Sequence, residues 1–135
     1  MLVKGMAFLL ALGCALQGVS DKYNGCVSQG RQAIRSVQRV RTWQEFYTCY
    51  RQFKICDSGK LAEEYSYALS RLLAHHWSDV DSLLKLAKSD PDFKGFVLQH
   101  LNENIPEEEA QLIVRNCRQY AQKGADWLCQ AVVDY

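Results

Sequence analysis

The chain has 135 residues, six cysteines, two prolines and a formal net charge of +1. Hydrophobic residues make up 48% of it and charged residues 23%, a balance that excludes a disordered or collagen-like protein. The near-neutral charge gives no support for a dedicated nucleic-acid-binding protein, and the length favours a single domain.

The first segment, residues 1–20, has the pattern of a secretory signal peptide. Lys4 is its only charge, and Met6–Leu12 is an apolar stretch shorter than the roughly 20 residues that cross a membrane. Small residues stand at the positions expected for cleavage before Asp21. We therefore predict a signal peptide over 1–20 and a periplasmic or secreted location.

Cys14 gives the same segment an alternative interpretation. The residues around it resemble a bacterial lipoprotein box, in which Cys14 would be acylated. If Cys14 carries a lipid, we predict that the protein is attached to a membrane. Otherwise we predict a soluble exported helical domain over 21–135.

From Gly25 onward, apolar residues recur at three- and four-residue spacing, which is typical of amphipathic helices. We predict an all-α fold, a single compact bundle of five to six amphipathic helices stapled by disulfides. The signals that begin or end helices are, in chain order, the capping box Thr42–Glu45, the turn Asp57–Gly59, Ser78, Asp90 before Pro91, Pro106 with the acidic run Glu107–Glu109, and Gly124.

Removal of a signal peptide leaves five cysteines, an odd number. Cys117 and Cys129 lie six residues either side of Lys123, where a helical hairpin turns, so we predict a bridge between them. Export favours disulfides over metal ligation for the remaining three, and no zinc-binding spacing is present.

The other pairings stay open at the level of sequence. We favour Cys26 with Cys49, which leaves Cys56 unpaired and would allow a covalent homodimer. Cys49 could instead bond Cys56 if the intervening helix ends near Phe53, because on a continuous helix these two cysteines lie about 10 Å apart.

His75 and His76, with Asp79 and Asp81, form the one cluster that could bind a metal or transfer protons; His75, His76 and Asp79 are its strongest candidates. His76 also continues an apolar stripe, and Asp79 is an acid that a helix N-terminus favours, so we predict a packed histidine and no metal site. Motifs of the common hydrolases and kinases are absent from the sequence. We expect no cofactor, no catalytic residue and no enzymatic activity.

Charge is divided between the two halves of the chain. Residues 21–60 carry eight basic and three acidic side chains, a net charge of +5, and residues 61–135 carry seven basic and twelve acidic ones, a net charge of −5. Arg31, Arg35 and Arg39 recur every four residues along one predicted helix. They are candidates for a partner-binding face, although an ordinary solvated face opposite the apolar stripe is the interpretation that we favour.

Several segments resemble a group of small exported helical bacterial proteins. They are Cys56–Gly59, Leu61–Ser66, Leu72–Trp77, Asp90–Phe93, Phe96–Leu101 and Trp127–Cys129. In overall plan the chain is more distantly similar to the Tai-type immunity proteins of type VI secretion amidase effectors. That similarity implies a small exported helical protein that blocks the catalytic cleft of a toxin, and it assigns no individual residue.

These observations favour an exported, non-catalytic protein-binding domain, namely an immunity or inhibitor protein that occludes a cell-wall-targeting toxin. Its expected partner is a toxin or an envelope protein, not a nucleic acid. The connectors 57–60, 89–92 and 102–106 are the candidate inserts. The alternatives are a small envelope ligand-binding protein or enzyme that uses His75, His76 and Asp79, and a structural envelope lipoprotein.

Overall fold

The periodicity of the sequence corresponds to helices along most of the chain. The computed structural model describes Cys14 and residues 22–101 and 105–133. Within these ranges there are seven α-helices and no strand. The helices are α1 Lys22–Gln38, α2 Trp43–Phe53, α3 Gly59–His75, α4 Val80–Ser89, α5 Pro91–Leu101, α6 Glu107–Gln119 and α7 Asp126–Val133, with short 3-10 turns at Lys54–Cys56 and Trp77–Asp79.

The all-α prediction is confirmed, with more helices than the five to six expected. The predicted boundary at Pro91 is present: this residue has no N–H to continue the hydrogen bonding of α4, so the chain breaks at Asp90 and α5 begins anew. Asp90 caps α5 by accepting a hydrogen bond from the Phe93 amide at 3.2 Å. The capping box is also present: Thr42 accepts from the Glu45 amide, and Glu45 accepts from the Thr42 amide, both at 3.1 Å.

Helix α3 lies at the centre of the bundle and contacts α1, α2, α5 and α6. Beside it, aromatic rings of α2, α3 and α5 pack at edge-on or tilted angles around Phe46, whose centroid lies 5.9 Å from that of Tyr65 and 6.2 Å from that of Phe96. The Tyr65 hydroxyl donates to the backbone oxygen of Cys49 at 2.8 Å. Burial raises the pKa of Tyr65, so this hydroxyl stays protonated.

All six cysteines form disulfides: Cys14–Cys49, Cys26–Cys56 and Cys117–Cys129. The Cys117–Cys129 prediction is confirmed. The Cys26–Cys49 prediction is wrong, and so is the expectation that Cys56 is unpaired. Helix α2 ends at Phe53, and the following 3-10 turn brings Cys56 beside α1, with its Cα 5.3 Å from that of Cys26.

Cys14 is the one residue of the predicted signal peptide that the structure describes; the rest of 1–20 lies outside the described residues. A molecule cleaved before Asp21 would lack Cys14 and leave the buried Cys49 without a partner. An acylated Cys14 thiol could not form this bridge either. The bridge and these two processing predictions are therefore mutually exclusive in any one molecule.

Three disulfides are typical of a protein that folds in an oxidising environment outside the cytoplasm. Every helix in the described ranges is too short or too polar to cross a lipid bilayer.

Mass spectrometry of peptides from the unreduced protein tests the bridges directly. We expect three linked peptide pairs that join Cys14 to Cys49, Cys26 to Cys56 and Cys117 to Cys129, with no thiol that reacts with an alkylating reagent. A Cys26–Cys49 peptide, or an alkylated Cys49 in a chain that begins at Asp21, would contradict this arrangement.

Candidate functional site

The structure does not assemble the histidine and aspartate cluster considered from sequence. His75 is exposed at the end of α3, with its Nε2 3.9 Å from Glu109 Oε1. His76 is exposed and not packed as predicted, because α3 ends before it and the chain turns at Trp77. Within the described part of the chain, no group of three metal-ligating side chains forms, so the structure does not bring His75, His76 and Asp79 together as a set of metal ligands.

The arginine stripe lies in solvent. Arg31, Arg35 and Arg39 are all exposed, while Ala33 and Val37 between them are buried against the core. None of the three arginines forms an ion pair with a described carboxylate. The stripe is a basic surface on α1 with no pocket of its own among the described cavities.

A different set of polar side chains comes together inside the bundle. His100 on α5 is completely buried, with its Nδ1 2.8 Å from Ser66 Oγ on α3 and its Nε2 2.8 Å from Asp57 Oδ2 in the α2–α3 connector. Ser66 is only 2% exposed. We call this chain of Asp57, His100 and Ser66 the polar clamp, because it joins a connector and two helices.

The hydrogen bonds of the polar clamp can be assigned from donor and acceptor chemistry. The Asp57 carboxylate can only accept, so His100 Nε2 carries a proton and donates to it. When Nδ1 is unprotonated, it accepts the Ser66 hydroxyl. When Nδ1 is protonated, it donates to Ser66 Oγ, and the hydroxyl donates to the Ala62 backbone oxygen at 3.2 Å. The clamp is therefore satisfied in either protonation state of the imidazole.

The local fold explains why Asp57 reaches His100. The connector leaves the 3-10 turn beside the Cys26–Cys56 bridge, which ties it to α1. Gly59 begins α3 with φ +56, a left-handed conformation that glycine adopts without the Cβ clash of other residues. The bridge on one side and the glycine on the other place Asp57 over the end of α5.

An open cavity of about 540 Å³ lies beside the polar clamp. We call it the polar pocket, and the residues that line it are Asp57, Ser58, Gly59, Ala62, Glu63, Ser66, Gln99 and His100. Neither lysine nor arginine is among these lining residues. Ser58, at the N-cap of α3, makes no capping hydrogen bond with its side chain.

The polar pocket is rich in hydrogen-bond acceptors. Asp57 Oδ1 is buried and receives no hydrogen bond from any described group. At the rim, a hydrogen bond from Tyr67 and the charge of Lys60 lower the pKa of Glu63, which is therefore anionic at neutral pH. Lys60 Nζ lies 3.6 Å from Glu63 and 3.2 Å from Glu64, on the exposed side of α3. These features suit a ligand group that donates hydrogen bonds and carries positive charge.

Serine, histidine and aspartate also form a hydrogen-bonded chain in serine hydrolases. Acyl transfer in those enzymes requires a second feature, a site that binds the oxyanion. A serine hydrolase stabilises its oxyanion with free backbone amides close to the nucleophile. Ser66 lies in the interior of α3, where backbone amides are used in helical hydrogen bonds. The unpaired amides at the start of α3 lie about seven residues away, or roughly 10 Å along the helix. Ser66 therefore has no free helix-end amide beside it, and the polar clamp joins the connector, α3 and α5 through hydrogen bonds.

Sequence reasoning missed this site. It places Asp57 in a turn and His100 on the apolar face of a helix, and it singles out Ser66 for nothing. Because His100 lies on the apolar face of a helix, the sequence indicates that its ring nitrogens need buried hydrogen-bonding partners. The partners themselves are 34 and 43 residues away in sequence, so no local pattern identifies them.

Of the three connectors proposed as inserts, the one at 57–60 borders the polar pocket, and its residues Ser58, Gly59 and Lys60 are exposed. The connector at 89–92 is held down, because Asp90 caps α5 and accepts the Tyr47 hydroxyl at 2.8 Å. The connector at 102–106 lies partly outside the described residues.

Comparison of the chain with protein-family models, with curated proteins and with solved structures finds no match.

Removal of the Ser66 hydroxyl tests the polar clamp. We expect Ser66→Ala to lower the free energy of unfolding by about 1 to 3 kcal/mol, because it leaves a buried nitrogen of His100 without a partner. Urea unfolding with the disulfides intact measures this change. The matched control is Ser82→Ala, since Ser82 is exposed on α4, and a change within about 0.5 kcal/mol is expected there. Equal effects of the two substitutions would show that the clamp contributes nothing to stability.

Proposed function

We propose that the chain is an exported, non-catalytic binding protein whose polar pocket receives a basic side chain of a protein partner. The observation that carries this proposal is the acceptor-rich lining of the pocket. It presents the carboxylates of Asp57 and Glu63 beside an exposed connector, without a lining lysine or arginine. A guanidinium or ammonium group supplies a donor for Asp57 Oδ1, which receives none, and adds a second cation beside Glu63, whose neighbour Lys60 lies 3.6 Å away on the exposed side.

The supports around the pocket favour tight binding. The Cys26–Cys56 bridge and the polar clamp hold the connector from two sides before any partner arrives. A preformed surface loses little conformational entropy on association, so more of the contact energy remains as affinity. The three disulfides support export, because such bridges persist in oxidising compartments.

The more specific form of the proposal concerns the partner. We propose that it is a cell-wall-cutting toxin and that the exposed residues Ser58, Gly59 and Lys60 enter the toxin's catalytic cleft. In this arrangement, the polar pocket binds a lysine or arginine at the rim of that cleft. Support comes from the resemblance in overall plan to Tai-type immunity proteins and from the exposure of this connector beside the pocket.

Affinity capture of the oxidised, tagged protein from its source cells tests the proposal, with the wild type and two charge variants compared. We expect a stoichiometric partner whose affinity falls about tenfold or more with Glu63→Lys, because the rim then repels a basic group. The control, Glu108→Lys, makes the same charge change at an exposed position on α6 and leaves the affinity unaltered. Binding measured with the purified partner gives both values.

Each part of the proposal has its own contradicting outcome. Equal affinity of the two variants and the wild type would show that the polar pocket is not the contact surface. The lack of any stoichiometric partner would contradict the binding function. A partner that binds at the pocket but cleaves no peptidoglycan, or cleaves it at an unchanged rate when bound, would contradict the immunity role.

A further inference from the structure

Lysines gather around an aromatic side chain on another face of the molecule. A cavity of about 640 Å³ lies where α4 and α5 meet the α6–α7 connection. Among the described residues, its lining includes four lysines, Lys85, Lys88, Lys94 and Lys123, together with Leu84 and Trp127. We call this the lysine pocket. Its lysines come from two helices and a loop, so tertiary folding brings them together.

The positive charge of the lysine pocket is largely unbalanced. Asp81 is the one carboxylate among the described lining residues, and its Oδ2 lies 3.0 Å from the ammonium of Lys85. Lys88 and Lys123 form no ion pair with any described carboxylate. Four lysines against one aspartate leave the lining with a net charge of +3. A concave surface of this kind attracts an anion.

An aromatic ring lies within the same cavity. Trp127 is half-buried and packs against the hydrophobic core, and the Lys94 ammonium lies 5.1 Å from its ring centroid. Gly124 also lines the cavity, and a Cβ added there would meet nothing within 4 Å. The ring therefore borders open space large enough for a ligand, and the volume is in the range of small-molecule sites.

We propose that the lysine pocket binds an anionic sugar, a pyranose that carries a carboxylate or a phosphate. The apolar C–H face of a pyranose packs on an indole ring, and its hydroxyls and anionic group accept hydrogen bonds from lysines. A free inorganic anion would make no use of Trp127, and a neutral sugar would make little use of the charge. A pyranose with one anionic group uses both features of the pocket, the exposed part of the indole ring and the excess of lysines.

Isothermal titration of the full chain with defined probes tests this inference. The probes are N-acetylmuramic acid, glucose 6-phosphate, N-acetylglucosamine, inorganic phosphate and AMP. We expect saturable binding of one or both anionic sugars, at least about tenfold tighter than that of the neutral sugar, of phosphate alone and of AMP. The stronger of the two sugars identifies the anionic group as a carboxylate or a phosphate.

Two lysines that cover aromatic rings on different faces supply a matched control. Lys94→Gln, which removes the charge over Trp127, is expected to weaken binding of the anionic sugar at least about fivefold, and further when combined with Lys88→Gln. Lys54→Gln removes a charge 5.2 Å from the Tyr50 ring centroid, outside the pocket, and leaves the affinity unchanged. Lys54 and Lys88 are exposed, Lys94 is half-buried, and none of the three forms an ion pair with a described carboxylate, so we expect the variants to fold.

The inference is overturned if neither anionic sugar binds saturably at millimolar concentration, if N-acetylglucosamine or AMP binds as tightly, or if Lys54→Gln weakens binding as much as Lys94→Gln. The two pockets share no lining residue and meet α5 at opposite ends, so Glu63→Lys is expected to leave sugar binding intact. A failure here is therefore distinguishable from a failure of the proposed protein-binding function.

Discussion

Helix α3 packs against α1, α2, α5 and α6, and this burial removes the polar side chains along it from water. A buried hydroxyl or amide costs free energy unless it finds a partner, and the buried serines of α3 each have one. Ser70 donates to Glu109 at 2.5 Å, and Asn116 of α6 donates to the Leu73 backbone oxygen at 3.0 Å. Ser66 meets the same requirement through His100. The polar clamp is thus a consequence of packing a helix with polar groups on several faces.

The clamp and the disulfides act on the same segment. Cys56 is bonded to α1, and the next residue, Asp57, is hydrogen-bonded to α5, so the connector before α3 is fixed at adjacent positions by a covalent bond and a charge-assisted hydrogen bond. The pocket beside it is therefore present before a ligand arrives. Asp57 both supports the connector and lines the pocket, so the pocket wall carries a carboxylate without an additional buried acid.

Local patterns in the sequence were enough to predict the helices and part of the covalent framework. Apolar spacing predicted the all-α fold, and the symmetry of Cys117 and Cys129 about Lys123 predicted their bridge. Cys26 and Cys56 are likewise equidistant from Arg41, in the α1–α2 connection, and they too form a bridge. This pairing was not predicted, because removal of Cys14 with a signal peptide leaves an odd number of cysteines and implies that one is unpaired. The site itself could not be predicted, because it depends on which helices pack together, and that is not encoded in any local pattern.

The most direct test of this account is a double-mutant cycle between Asp57 and His100, measured as free energies of unfolding in urea. The substitutions are Asp57→Ala, His100→Leu and their combination, with the disulfides intact in each protein. The account predicts a coupling energy of about 1.5 to 3 kcal/mol between the two positions, as expected for a buried hydrogen bond to a charged group. Additive effects, within about 0.5 kcal/mol, would contradict it, because the connector would then be held without the clamp.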